Sequence, residues 1–105
     1  MKRYALSSEA QQDLHQLRAY YLKNAGARVA LHVSTEITKA FGFLAATPGI
    51  GHARPDLTLE PVKFWQVFSY LIVYDPATQP LGIARVLHSS QDLITLFRKN
   101  PPRVG

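Results

Sequence analysis

"VKFWQVFSYLIVYD", residues 62–75, decides the architecture of this chain, because the spacing of apolar side chains changes there. Val62 to Phe68 mixes β-branched and aromatic residues, which suit a pleated, half-buried segment. Ser69 interrupts the pattern. Tyr70-Leu71-Ile72-Val73-Tyr74 then forms an unbroken apolar run of the kind a central strand needs. Before this stretch the apolar residues recur at helical intervals, and after it they alternate. The sequence therefore predicts two helices followed by a sheet.

Towards the N-terminus, Ala10, Leu14, Leu17 and Tyr21 share one helical face, with Gln12, Gln16 and Lys23 on the others. Ser8 with Gln11 three residues on reads as a capping box, in which the hydroxyl meets an orphan backbone N–H and the Gln side chain reaches back. Asn24-Ala25-Gly26 ends this helix, since Asn and Gly tolerate the left-handed conformation of a C-cap. A second stripe, Ala30, Val33, Ile37, Ala40, Phe41 and Leu44, begins at once, and Pro48 closes it. So short a link demands an antiparallel αα-hairpin, whose inward face needs a cover. The segment TPGIGHARPDL, residues 47–57, is rich in proline and glycine and reads as a loop.

Towards the C-terminus, Asp75 to Pro80 is a turn, after which Leu81, Ile83, Arg85 and Leu87 alternate with Gly82, Ala84, Val86 and His88. Three consecutive strands on short links make an antiparallel meander. Lys2 to Leu6 is a short strand expected at an edge of that sheet. Ser89 opens a second capping pattern, with Asp92, before Leu93, Ile94, Leu96 and Phe97. Arg98 and Lys99 suit the negative end of the short helix this implies. The fold expected is α+β: an N-terminal strand, a two-helix hairpin packed on a small antiparallel sheet, and a short C-terminal helix. Residues 1–105 are expected to form a single domain.

Composition narrows the function. The chain has no cysteine, so disulfides and thiolate metal sites are excluded. Its 12 Lys and Arg against 7 Asp and Glu give a net charge of +5, which favours acidic partners. The charges are scattered rather than clustered, against a nucleic-acid-binding tail. Neither a signal peptide nor a membrane span is expected, and the protein is read as soluble and cytoplasmic.

The chemistry-bearing stretch is "RVLHSSQDL", residues 85–93. His88 could act as an acid or base near neutrality, and Arg85 could hold a phosphate. In a regular strand, however, residues three apart point to opposite faces. Ser89 and Asp92 are better explained as caps than as members of a triad. Arg85 is expected to be held structurally by a carboxylate or backbone carbonyls near the sheet end, with Asp92 a candidate. Arg54 sits in the Gly/Pro loop within reach of Asp56, and Trp65 beside Phe64 is a possible anchor for a partner. His15 and His32, on the helices, are not read as metal ligands, and no metal or cofactor is expected.

Taken in order, AQQDLHQLRAYY, a second amphipathic helix followed by P-G-I-G, then ARPDL, YLIVYD and RVLHSSQDL, resemble the ParE/RelE toxin superfamily of bacterial toxin–antitoxin modules. The resemblance spans nearly the whole chain, and the RPDL loop and the YLIVY…RVLH…DL pattern place it nearer the ParE branch. It implies a toxin held inactive by a cognate antitoxin that has a DNA-binding part and a C-terminal segment folding onto the toxin. ParE-branch members inhibit DNA gyrase and so block replication. RelE-branch members are ribosome-dependent ribonucleases with clustered basic residues and a C-terminal Tyr or His. Here Lys63, Arg85 and His88 would have to fill those roles, and no tyrosine follows Arg85. The resemblance thus favours a gyrase inhibitor without catalysis. The ribonuclease and a non-toxic member that only binds antitoxin are the alternatives. The partner-facing residues are expected to be Leu14, Tyr21, Arg54, Trp65, Arg98 and Lys99, with no sequence-specific contact to nucleic acid.

Overall fold

The computed structural model describes residues 3–103. Its elements are β1 (Tyr4–Leu6), α1 (Ser8–Ala25), α2 (Ala27–Ala46), a 3-10 turn at Pro48–Ile50, β2 (Lys63–Val67), β3 (Tyr70–Asp75), β4 (Leu81–His88) and α3 (Leu93–Lys99). The strands form one four-stranded sheet in the order β1-β4-β3-β2. The meander is antiparallel, as its short links require. β1 takes the edge position expected of it, but it pairs with β4 in parallel, Tyr4 opposite Leu81. The sheet is therefore mixed. β1 and β2 point the same way from opposite edges, and the segment 47–62 supplies the return. It runs antiparallel past β2, where His52 and Phe64 exchange backbone hydrogen bonds of 2.9 and 2.7 Å.

Gly26 alone separates the two helices. Its φ of 90° lies in the left-handed region, which is open to glycine at no steric cost, and it caps the end of α1 and the start of α2. The cap at the start of α1 is Ser7 and not Ser8. The Ser7 hydroxyl accepts from the Ala10 N–H at 3.0 Å and donates to the Ala84 carbonyl at 2.7 Å. That bond to β4 fixes the earlier serine and leaves Ser8 as the first helical residue. Gln11 still reaches back, donating to the Leu6 carbonyl at 3.2 Å. A similar shift occurs at α3. Ser89 lies in a turn, its N–H bonded to the Ser69 carbonyl, and Asp92 is the cap, accepting from the Thr95 N–H at 3.2 Å and hydroxyl at 2.7 Å.

β3 alternates between two cores. Tyr70, Ile72 and Tyr74 face the helical hairpin, whereas Leu71 and Val73 face α3 and the long loop. Both faces are covered, which is why this strand reads as a continuous apolar run. β4 breaks its alternation. Val73 lies opposite Arg85 but Tyr74 opposite Ile83, so Ala84 is an extra, bulged residue. Leu81, Ile83 and Val86 consequently join the hairpin core, while Ala84 and Leu87 join the other. No helix among the described residues is long and apolar enough to cross a membrane.

Candidate functional site

β1 stops at Leu6, so on that side β4 has no strand beside it beyond Ile83. Backbone groups exposed on that edge must find other partners. The first half of α1 provides them. The Asp13 carboxylate accepts from the Val86 N–H at 3.0 Å, standing where the next residues of an edge strand would lie. The same carboxylate takes both prongs of Arg85, Nε at 2.7 Å and one terminal nitrogen at 3.0 Å. Glu9, one helical turn earlier, lies 3.7 Å from the other terminal nitrogen and also accepts from Asn100 at 2.8 Å. Only 15% of the Arg85 side chain and 10% of Asp13 is exposed, so solvent screens this pair weakly. The hydrogen bonds it donates to Asp13 hold the Arg85 guanidinium above its ordinary pKa. The carboxylates at Arg85 are thus Asp13 and Glu9. Asp92, the expected partner, is occupied by Thr95.

Beside this seam is a cleft of about 220 Å³ between α1 and the end of β4, lined by Tyr20, Tyr70, Arg85, His88 and Gln91 among others. Arg85 and His88 share it because the edge of β4 left free beyond β1 lets Arg85 turn towards Asp13 of α1. His88 Nδ1 lies 2.6 Å from the Ser90 hydroxyl and accepts from the Ser90 N–H at 3.1 Å. The Tyr70 ring meets His88 edge-on at 5.1 Å and Tyr21 at 6.4 Å. Burial, and then the hydrogen bond with Tyr21, pushes the Tyr70 phenol far above its ordinary range. The cleft therefore offers a neutral phenol, one imidazole, and a cation already matched by two carboxylates. A phosphate at Arg85 would face Asp13 and Glu9 at close range.

Lys63 does not join them. It lies opposite Tyr74, while His88 lies opposite Tyr70 at the other end of β3, roughly 13 Å along the strand. Arg54 forms a two-pronged pair with Asp56, 3.0 and 2.8 Å, on the loop surface, which holds the Asp56 carboxyl below its usual range. Trp65 is half-buried between Phe43, at 5.7 Å, and His52, at 6.4 Å. Tyr21 is half-buried beside Tyr20 and Tyr70, and Arg98 and Lys99 are exposed at the end of α3. Leu14 corrects the expectation of a partner contact: it is buried in the core beneath the hairpin, with only 7% of it exposed. Among the described residues, no group of three or more His, Asp or Glu could hold a metal ion.

Sequence reasoning missed Asp13, Glu9 and the Tyr74 hydroxyl. The signal for the first two was their spacing of four, which stacks both carboxylates on one helical face. Tyr74 donates to the Pro48 carbonyl at 2.8 Å and accepts from the Gly51 N–H at 2.9 Å, and so pins the loop after α2 to the sheet. A Cβ at Gly51 would overlap that hydroxyl.

The arrangement has a match among known families. The family described as "ParE toxin of type II toxin-antitoxin system, parDE" matches residues 4–93. The chain belongs to the ParE toxin family. A solved structure titled "Chromosomal ParDE TA system from P. aeruginosa" shares the fold, with a TM-score of 0.70 at 18% identity over 84% of this chain and 96% of that one. No curated protein matches the sequence. The span matched to the ParE family includes Glu9, Asp13, Arg85 and His88 but ends at Leu93, so Arg98 and Lys99 lie outside it.

Proposed function

We propose that this ParE-family protein acts by binding, as an inhibitor of DNA gyrase, and is held inactive by a cognate antitoxin. In this reading it stabilises the cleaved gyrase–DNA complex, blocks replication, and catalyses nothing itself. Family membership supports the toxin. The observation that carries the mode of action is the state of Arg85. A cation clamped by Asp13 and approached by Glu9 has little field left for a substrate phosphate, and Lys63 stands too far away to replace it. The antitoxin is supported by the P. aeruginosa structure, whose title describes a toxin–antitoxin system. A net charge of +5 suits an acidic antitoxin segment, because complementary charge speeds encounter. Tyr21, Arg54, Trp65, Arg98 and Lys99 are the surface residues proposed to meet antitoxin or gyrase.

Purified protein added to gyrase and supercoiled plasmid is expected to accumulate protein-linked breaks, suppressed by the antitoxin encoded beside it. Intact plasmid at doses that arrest growth would remove this reading.

A second reading, a ribosome-dependent ribonuclease, is favoured by one observation: Arg85, His88 and Tyr70 line a single cleft. It predicts cut transcripts on translating ribosomes that disappear in His88→Ala. Intact transcripts in arrested cells would eliminate it.

A further inference from the structure

Val67 pairs with Tyr70, so Phe68 and Ser69 form a two-residue turn between β2 and β3. Phe68 takes a φ of 55° there, the one non-glycine residue in the left-handed region among the described residues. Turns of this kind favour Gly, Asn or Asp, because a bulky side chain is strained in that conformation. The turn is held from both sides. Gln66 Nε2 donates to the Phe68 carbonyl at 2.9 Å, and the Ser69 carbonyl accepts from the Ser89 N–H at 2.7 Å. The Phe68 ring belongs to neither core. It is 53% exposed and leans on His32, itself exposed, with 6.0 Å between ring centres. A strained residue that sets an aromatic ring in water gains the fold little, and such strain is kept where display of the side chain matters.

The surroundings select what the ring would meet. Tyr21 against Tyr70, and His32 against Phe68, bring the Gly26 end of the hairpin to the same end of the sheet as this turn. Lys23 and Arg28 flank Gly26, both exposed and neither with a carboxylate within 4.0 Å among the described residues. Glu36, one helical turn beyond His32, pairs with Lys39 at 3.6 Å, and Asp92, beyond the end of β4, is held by Thr95. This end therefore shows two open aromatic faces beside unmatched cations. Unpaired nucleic acid satisfies both, since its bases stack on rings and its phosphates meet cations. An intact duplex hides the faces of its bases. An acidic protein segment would answer the charges but leave the rings without a stacking partner. A second copy of this chain would set like charges together.

We infer that this end binds an unpaired nucleic-acid strand without regard to sequence, one base stacking on Phe68 beside His32 and neighbouring phosphates meeting Lys23 and Arg28. The inference deepens the proposed function and rests on it only for the source of the strand, the opened DNA of the cleaved gyrase complex.

The test is fluorescence anisotropy of a labelled thymidine oligonucleotide of about twelve nucleotides, titrated with the full-length protein at low salt beside a blunt duplex of the same length. The single strand is expected to bind at least about fivefold more tightly than the duplex. Phe68→Gly should weaken it about tenfold, whereas Phe68→Tyr, which keeps a stacking ring, should not. Lys23→Ala with Arg28→Ala should lower the slope of log affinity against log salt by about 1.4, the loss of two phosphate contacts on a single strand. Glycine relieves the φ of the turn, so Phe68→Gly should keep or raise its thermal midpoint while it loses the strand. With gyrase, the same variant should trap less cleaved plasmid than Phe68→Tyr does. Undetectable binding, equal affinity for strand and duplex, or an unchanged affinity in Phe68→Gly would overturn the inference. So would a large fall in the midpoint of Phe68→Gly, which would make the ring part of the packing. Tighter binding of a polyglutamate peptide than of the strand would also overturn it and make the partner a protein. Gyrase is absent from the anisotropy titration, so failure there is distinct from failure of the cleavage assay with the parent protein.

Discussion

Two regions of α1 handle charge in opposite ways. On the edge facing β4, Glu9 and Asp13 converge on Arg85, and the cluster is largely withdrawn from solvent. On the outward face, Arg18 and Lys23 stand exposed beside Leu22 with no carboxylate in reach among the described residues. Arg85 and its neighbours suggest chemistry in the sequence and behave as architecture in the structure. The outward face has the sequence of an ordinary solvated surface, yet it carries what a partner would need. Charge satisfied within the fold closes a seam, and charge left unmatched beside apolar surface is available for recognition.

That contrast breaks most visibly at Asp13. Asp13→Ala removes the partner of Arg85 and also orphans the Val86 N–H, so it should cost about 3 kcal/mol. A fall in thermal midpoint of roughly 15 °C is expected. A midpoint within a few degrees of the parent would mean that the seam is not structural. Next comes Tyr74→Phe, which leaves the Pro48 carbonyl and the Gly51 N–H without their partner and should cost about 1–2 kcal/mol by denaturant unfolding. A third expectation concerns alkali. Burial raises the phenols of Tyr70 and Tyr74, so the folded state keeps protons that the unfolded chain loses above about pH 10. The stability these two groups contribute is fully present below that pH and declines as pH rises through the folded values. Melting curves from pH 9 upwards should show the decline, and Tyr74→Phe should soften it. The smallest effect belongs to the hairpin's outer face, where Leu31→Glu should change stability by less than about 0.5 kcal/mol. A large loss there would show that Leu31 packs within the fold and would erase the contrast.

Much of this fold was legible in the sequence because its strongest signals are periodic. The two helical stripes, the Gly26 junction and the YLIVY run correspond to α1, α2 and β3, each set by local spacing or backbone preference. The parallel pairing of β1 was not legible, since a three-residue strand carries no pattern that fixes its direction. Nor was the bulge at Ala84, because small apolar residues fit either face of β4. The caps moved for a tertiary reason: Ser7 is held by Ala84, and Ser89 is drawn into the turn against Ser69. At the candidate site, the sequence marked Arg85 and His88 but not what neutralises Arg85. Asp13 lies 72 positions away, and only the fold brings it there.

The central claim is that the protein works by binding, so that the Arg85–His88 cleft performs no reaction. The direct measurement is gyrase-dependent plasmid cleavage by His88→Ala, with its thermal midpoint recorded on the same preparation. Binding without catalysis predicts a folded variant that traps cleaved plasmid as well as the parent protein does. A variant that melts normally but no longer traps plasmid would contradict it, and one that also ceased to cut messenger RNA on ribosomes would establish the alternative chemistry.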